Sequence, residues 1–372
     1  MRERLEKLRF ISPRVESAWT GNLPEWQHPA IKSEQIAEAV QNRFKKITPL
    51  FLHNVSWHQI NPDQANALAV AMGDINFPVS VLRSEISNHN NESLFHDSVP
   101  TSDSADSLPQ TDQEYPRIVP YRPERYGLTA SDFDNSTILD IRLNSHRDET
   151  GRFAYSAEQL ARWDILNTEV PIAGGSWVPS SNFPADVPNI EGLPSKIGQL
   201  RTLSKGAAIF VTIDPFHLEL DLRRILDAKP DGIIMQLECL APDGLELAKL
   251  VKQTRKWMNQ HDGQGIPLWV CPGPIDADDA AKLVALGASA VAIDCWFNEI
   301  WDEIESASKG SYASQSQFAH QAHQLASEIH WRAERTMGLL HALKHLPENE
   351  GITSLDPKWC KELDLPSLAG FS

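Results

Sequence analysis

Short apolar segments alternate with longer amphipathic segments along the second half of the chain, between residues 204 and 297. Residues 207–213 and 232–237 are almost entirely apolar and suit buried strands, while residues 217–228 and 244–261 repeat apolar side chains at helical spacing. Strands that alternate with helices of this length predict right-handed crossovers and a parallel sheet, either open or closed into a barrel. The pattern continues through two more predicted strands (267–271 and 290–293), a helix between them (276–286) and a long amphipathic helix (about 315–346).

The first half of the chain carries fewer signals of the same kind. Residues 31–47 show helical spacing of apolar side chains, and residues 48–56 form a short apolar run that is typical of a buried strand. Residues 61–63, Asn-Pro-Asp, then supply a cap and a first turn for a helix over 64–72. These segments predict one βα unit, and residues 135–143 predict a further strand.

Two polar segments interrupt the pattern. Residues 84–113 are rich in Ser, Asn, Asp and Glu, and their few apolar side chains do not offset the entropy lost on ordering, so they predict a disordered surface insertion. Residues 171–194 are rich in Pro, Gly, Ser and Asn and predict a long loop. Loops of that length inside a compact domain are often functional.

Composition and charge indicate a chain that can bury a core and that is a poor match for polyanionic partners. The chain has 372 residues, of which 41% are hydrophobic, so it is long enough to bury a sizeable core. Its 50 acidic residues outnumber its 34 basic ones, and the formal net charge is −16. This charge opposes the attraction that nucleic acid or an anionic membrane requires, so neither is expected as a partner, and a small-molecule ligand stays open. The oligomeric state stays open.

The cysteines and the N-terminus predict a cytoplasmic protein with reduced thiols. The four cysteines are widely spaced and form no CxxC pair, so neither a disulfide framework nor a metal site is indicated. Residues 1–10 are charged and lack the apolar region of a secretory signal. No run approaches the roughly 18 apolar residues that a membrane span requires.

Several polar residues lie at or near predicted strand ends, where barrel enzymes keep their catalytic groups. Glu238 ends one strand, and His53 and His58 flank the end of another. No His, Cys and Asp spacing supports a catalytic triad, and hydrogen-bonded structural histidines are the simpler interpretation. The catalytic residues are therefore unassigned at this stage, with Glu238 and His58 as candidates.

Several segments, spread over most of the chain, carry a resemblance to a known family. Residues 49–57, PLFLHNVSW, and the helix over 61–69 are similar to a "PIFISGMSFG" strand and the helix that follows it. Residues 121–127, YRPERYG, resemble "ASGRFG", and residues 365–370, LPSLAG, resemble a "TGVPLAG" ending. Together they resemble the FMN-binding domain of the glutamate synthases, especially the single-chain archaeal and bacterial form.

This resemblance implies an α/β fold of the (β/α)8 TIM type, with an irregular N-terminal extension (1–47), a barrel (48–346), a long C-terminal helix and a tail packed on the barrel (347–372). It also implies FMN as cofactor and an FMN-dependent oxidoreductase activity in glutamate biosynthesis. The positions that match the family's cofactor contacts are Ser56, Thr212, Gly273, Asp294 and Cys295.

The departures from the family fall on those contacts. Thr212 takes the place of a lysine that faces the flavin and would stabilise its reduced, anionic form. The loop over 272–277 carries two prolines, which have no N–H to offer a phosphate, and Asp294 would repel a phosphate. The cysteine cluster that holds an iron–sulfur centre in larger members is missing from the sequence.

Two functions therefore stay open on the sequence. In the first, a remodelled site binds FMN and performs flavin-dependent oxidoreduction. In the second, the barrel is a pseudoenzyme that has lost the cofactor and acts as a binding or scaffold protein. A third possibility is a barrel with its own chemistry around Glu238 and the strand-end histidines.

Overall fold

The computed structural model describes residues 4–10, 36, 38–44, 46–55, 57, 60, 62–82, 116–122, 128–134, 136–143, 147–156, 177–216, 218–308, 315–343 and 351–366. The predictions for Ser56, His58 and the insertion over 84–113 lie outside these residues.

The described strands fall into one large parallel sheet and two small antiparallel pairs. They are β1 (Leu8–Phe10), β2 (Leu50–Phe51), β3 (Val79–Ser80), β4 (Arg117–Tyr121), β5 (Ile138–Arg142), β6 (Ala154–Ser156), β7 (Trp177–Pro179), β8 (Ala208–Ile213), β9 (Gly232–Gln236), β10 (Leu268–Cys271), β11 (Ala290–Ala292) and β12 (Ile352–Ser354).

The large sheet is a closed barrel. Its eight strands are parallel and run in the order β2-β11-β10-β9-β8-β5-β4-β3. A parallel bridge between Leu52 and Val79 then joins the two outermost strands, β2 and β3. The predicted (β/α)8 fold is thereby confirmed. The strands are buried throughout, which explains their continuous apolar character.

Helices connect and cover these strands. They are α1 (Glu38–Phe44), α2 (Pro62–Asp74), α3 (Leu193–Leu203), α4 (Leu218–Asp227), α5 (Gly244–Gln260), α6 (Ala277–Ala285), α7 (Asp294–Ser308), α8 (Gln315–Leu343) and α9 (Pro357–Leu363). Helix α5 begins with a capping box in which Asp243 accepts a hydrogen bond from the Glu246 N–H. Helix α6 begins in a similar way, because Asp276 accepts from the Asp279 N–H.

Aromatic side chains fill the lower part of the barrel. The Trp269 ring lies 4.5 Å from Phe51, 5.0 Å from Phe210 and 6.0 Å from Phe44, measured between ring centroids. Phe44 belongs to α1, which precedes the first barrel strand, so this helix closes the amino-terminal end of the barrel. The opposite, carboxyl end is left for polar groups.

We expect Gly232→Ala to lower the free energy of unfolding by about 1–3 kcal/mol, the usual penalty for overpacking a core. An added Cβ at this position would lie 2.3 Å from Cζ of Phe210, a ring held against Trp269. Urea unfolding measures the change. Gly198→Ala is the control, because a Cβ there meets nothing within 4 Å and alanine favours the helix. Equal effects of the two substitutions would contradict the prediction.

The two ends of the described chain meet beside the barrel. Strand β1 pairs with β12 in an antiparallel register that places Leu8 opposite Ser354 and Phe10 opposite Ile352. The Lys249 ammonium of α5 forms an ion pair with Glu362 of α9 at 2.6 Å. Within the described residues, no helix combines the length and the hydropathy that crossing a membrane requires.

Candidate functional site

A layer of polar side chains lies at the carboxyl ends of the barrel strands, above the aromatic core. We call it the mouth cluster, and it consists of His53, Asn54, Ser80, Asp140, Arg142, Thr212, Glu238 and Asp294. Catalytic and binding groups of barrel proteins are found at this end, since the loops that follow the strands meet there. The cluster is therefore the candidate site.

His53 and Asp140 form a fully buried pair. Nε2 of His53 lies 2.9 Å from Oδ2 of Asp140, and neither side chain is exposed. Burial and the nearby Arg142 charge lower the pKa of His53, Asp140 raises it, and the net result is about 4. Burial alone would raise the pKa of Asp140, but the Arg142 charge and the hydrogen bond from His53 bring it to about 2. At neutral pH a neutral imidazole therefore donates Nε2–H to an ionised carboxylate.

Arg142 connects three strands through hydrogen bonds within the mouth cluster. Its Nε donates to Oδ2 of Asp140 at 2.7 Å, and its Nη2 donates to the hydroxyl of Ser80 at 2.7 Å and to the His53 carbonyl at 3.0 Å. Thr212 donates to the other oxygen of Asp140, Oδ1, at 2.5 Å. Since each of these partners is buried, Asp140 is held in one orientation and in turn fixes the imidazole of His53.

Asp294 is the second buried acid of the cluster, and it is the first residue of α7. Its Oδ1 accepts a hydrogen bond from the His53 backbone N–H at 2.7 Å. Burial, together with repulsion by Glu238, raises the pKa of Asp294 to about 7. The carboxyl group is therefore only partly ionised at neutral pH.

Two buried acceptor atoms in the cluster have no hydrogen-bond partner among the residues that the structure describes. They are Nδ1 of His53, which is unprotonated when Nε2–H faces Asp140, and Oδ2 of Asp294. An unsatisfied buried polar group costs roughly 1–3 kcal/mol and calls for an explanation, such as a bound molecule. Both atoms belong to residues at the ends of neighbouring strands, β2 and β11.

Glu238 completes the cluster near the edge. The Asn54 side-chain amide donates to Oε1 of Glu238 at 3.0 Å, and the same side chain accepts from Arg142 through its oxygen at 3.1 Å. The half-buried Glu238 is thus connected to the buried Asp140 through two shared side chains. Its predicted position at a strand end is correct, since it begins the short turn that follows β9.

The loop after β10, residues 272–276, forms the rim of the mouth, and we call it the rim loop. Arg4 donates from Nη1 to the Pro272 carbonyl at 2.7 Å and to the Pro274 carbonyl at 3.3 Å. Pro272 and Pro274 have no N–H to donate, and Gly273 adopts a positive φ of 77°. The rim loop therefore directs carbonyl oxygens towards a cation.

FMN would need its phosphate to be held by backbone N–H groups near the last two barrel strands. The residues present there do not fit this group. Asp276 already accepts from the N-terminal turn of α6, the rim loop faces Arg4 through its carbonyls, and α7 begins on the buried acid Asp294. Each of these oxygens would repel a phosphate.

The sequence-predicted site residues divide into two groups in the structure. Thr212, Glu238 and Asp294 belong to the mouth cluster, whereas Gly273 and Cys295 lie at or beside the rim loop. The Cys295 thiol lies 3.7 Å from the Ile275 carbonyl, and burial raises its pKa to about 11. Ser56 and His58 fall outside the described residues.

Sequence reasoning missed Asp140 and Arg142 as members of the site. The available signal was their spacing, because two charged residues at alternate positions of an otherwise apolar strand must point to the same face. In a closed barrel that face is the interior.

No protein-family model matches the chain, and no curated protein matches it. Solved structures of mandelate oxidase are similar over most of the chain. One, with 3,3-difluoro-2-hydroxy-3-phenylpropionic acid, is 15% identical with a TM-score of 0.47 and covers 90% of this chain and 83% of its own.

A mandelate oxidase variant with (S)-mandelic acid is 17% identical, with a TM-score of 0.46 and coverage of 90% and 83%. Another, with an FMN monooxide adduct, is 16% identical, with a TM-score of 0.45 and coverage of 91% and 84%. At these values the likeness carries no argument about function, and the barrel assignment rests on this chain's own strand order and closure. The resemblance to the glutamate synthases stays a prediction.

Proposed function

We propose that this protein is a barrel that binds a small molecule in the mouth cluster and does not hold FMN through the usual phosphate contacts. The observation that carries the proposal is the pair of buried acceptors without a partner among the described residues, Nδ1 of His53 and Oδ2 of Asp294. A ligand with N–H or O–H donors would satisfy both atoms. Small amines are the chemical class that fits best, because the carboxyl groups of Asp294 and Glu238 offer oxygen acceptors and favour a positively charged donor.

Four residues of the cluster have distinct roles in this proposal. Asp140 fixes the tautomer of His53, so that Nδ1 is an acceptor, and Arg142 holds Asp140 in place. Asp294 offers Oδ2, which has no partner among the described residues, beside His53. If the bound molecule reacts, Nδ1 of His53 is the atom positioned to accept a proton from it.

A second candidate is the FMN-dependent oxidoreductase, with a role in glutamate biosynthesis, that the family resemblance implies. The specific observation in its favour is the buried His53–Asp140 pair at the carboxyl end of the barrel, an arrangement suited to proton transfer. This candidate requires phosphate contacts other than the rim loop and the start of α7. The net charge of −16 disfavours nucleic acid as a partner for either candidate, and a cytoplasmic location stays a prediction.

The test uses the purified full chain and two kinds of probe. We expect putrescine to raise the Tm of the wild type and to have little effect on His53→Leu, because the leucine side chain offers no acceptor. The control variant is His261→Gln, which changes a histidine at the end of α5 outside the mouth cluster and should leave the response intact. A putrescine response that survives in His53→Leu would contradict the proposed site.

The second probe is FMN itself. We expect no flavin absorbance to stay with the wild-type protein after incubation with FMN and gel filtration. Retained FMN with a perturbed visible spectrum would overturn the first candidate and support the second.

A further inference from the structure

Arg4 contacts the rim loop through its guanidinium group in a manner that points to a separate binding site. We propose that the carbonyl groups of Pro242, Pro272 and Pro274 form a guanidinium-binding site at the rim of the barrel mouth. Arg4 is its resident ligand, and free guanidinium compounds bind there when the Arg4 side chain is removed. The inference does not depend on which molecule binds in the mouth cluster.

The side-chain contacts define the site. Nη1 of Arg4 donates to Pro272 and Pro274 of the rim loop, at 2.7 and 3.3 Å, while Nη2 donates to the Pro242 carbonyl in the turn before α5. The two terminal nitrogens thus reach carbonyls on two different loops. A planar guanidinium group, whose N–H donors point in fixed directions, can contact carbonyls on both loops at once. A single ammonium group cannot span both loops in the same geometry.

The backbone of both loops is shaped for this contact. Gly273 has a φ of 77°, and an added Cβ would lie 3.3 Å from Cβ of Glu238 and 3.8 Å from Nη1 of Arg4. At Gly244 an added Cβ would lie 2.0 Å from the Arg4 carbonyl oxygen, so the N-terminal segment lies directly against this position. Gly244 thus permits a close approach that a larger residue would block, while Gly273 supplies the positive φ that the rim loop adopts.

Helix α6 anchors the Arg4 backbone independently of its side chain. The two carboxylate oxygens of Asp279 accept from the Arg4 N–H at 2.7 Å and from the Leu5 N–H at 2.9 Å. Lys282 donates to the Leu5 carbonyl at 3.1 Å. The segment should therefore stay docked when the guanidinium is removed, which leaves the three carbonyls facing an empty space.

The charges around the site select for a cation. The nearby carboxylates of Asp279 and Asp243 stabilise the charged form of Arg4, against the effect of burial, which lowers its pKa. Carbonyl oxygens add further negative potential. A phosphate, which the equivalent loop of many barrels binds, meets only repulsion from these groups.

Arg4→Ala provides the test, since it removes the guanidinium and keeps the backbone. We expect its Tm to fall by several degrees and to recover in a saturable manner with millimolar methylguanidinium. Methylammonium at the same concentration should restore much less, and inorganic phosphate should restore nothing. All shifts are measured relative to the wild type in the same solution, which cancels any general effect of the additive.

Arg9→Ala is the matched control, because Arg9 belongs to the same segment and, among the residues that the structure describes, donates to the carbonyls of Glu6 and Leu8 within that segment. Its Tm should show no specific response to methylguanidinium. If Arg4→Ala is too unstable to purify, Arg4→Lys, which keeps the charge and loses the planar set of donors, serves instead with the same titration.

The proposal is wrong if methylguanidinium and methylammonium act alike on the Arg4 variant, or if phosphate is the additive that restores it. Either result can be told apart from a failure of the proposed function. Retention of FMN or a missing putrescine response concerns the wild-type mouth cluster and leaves the methylguanidinium titration unchanged.

Discussion

Asp294→Asn is expected to stabilise the protein at pH 8 and to have little effect at pH 4. The folded-state pKa of Asp294 is about 7, well above the usual 3.8, because the carboxyl is buried and lies near Glu238. Between pH 3.8 and 7 the Asp294 carboxyl is ionised in the unfolded chain but still protonated in the folded chain. The contribution of this group to the free energy of unfolding is therefore complete below pH 4 and is lost as the pH rises through 7. The shift of about 3 pKa units sets an upper limit of about 4 kcal/mol on this loss of free energy of unfolding. Asparagine keeps the acceptor for the His53 N–H and removes the charge.

Urea unfolding of the wild type and the variant between pH 4 and 8 measures this difference. Asp279 also has a raised pKa, about 6 through burial, and it contributes equally to both profiles, so the difference isolates Asp294. Asp227→Asn, which removes an exposed carboxyl on α4, is the control. A difference between wild type and Asp294→Asn that does not change with pH would contradict the assignment.

Asp140→Ala is expected to lower the free energy of unfolding by about 3–5 kcal/mol, since it breaks a buried ion pair and leaves a charge uncompensated. Arg142, with only 10% of its side chain exposed, would lose the carboxylate at 2.7 Å that balances its charge. His53 and Thr212 would lose their hydrogen-bond acceptor at the same time.

Urea midpoints at pH 7 measure the effect, and two further variants separate its causes. Thr212→Val removes one hydrogen bond to Asp140 and should reduce the stability by only about 1 kcal/mol. The double variant Asp140→Leu with Arg142→Met removes both charges and should recover part of the loss. If the double variant is less stable than Asp140→Ala, the uncompensated charge of Arg142 is not the main cause.

The methylguanidinium and putrescine experiments address two different parts of the same barrel end. The mouth cluster presents Nδ1 of His53 and Oδ2 of Asp294, which have no partner within the described part of the chain, while the rim loop presents carbonyls that Arg4 already contacts. A protein that fails both tests and retains FMN would have to contact the phosphate through residues outside the rim loop and the start of α7.

The helices and strands between residues 204 and 297 follow from local sequence, and most were predicted correctly. Buried parallel strands are continuously apolar, and α5 and α6 begin at caps formed by Asp243 and Asp276, so the signals lie within a few residues of each element. Local signals were weaker elsewhere. Strand β3 has two residues, β4 contains Pro120, and α7 starts two residues after β11, without an intervening loop to mark its beginning.

The sequence also determined the charge, the apolar core and the strand-end positions of Thr212, Glu238 and Asp294. Only barrel closure decided what these residues contact. His53 and Asp140 are 87 residues apart, and Arg4 is 268 residues from Pro272, so no local pattern relates them. Closing the barrel removes these groups from water, and in that environment the distances between them determine which carboxyl holds its proton and which acceptors are left for a ligand.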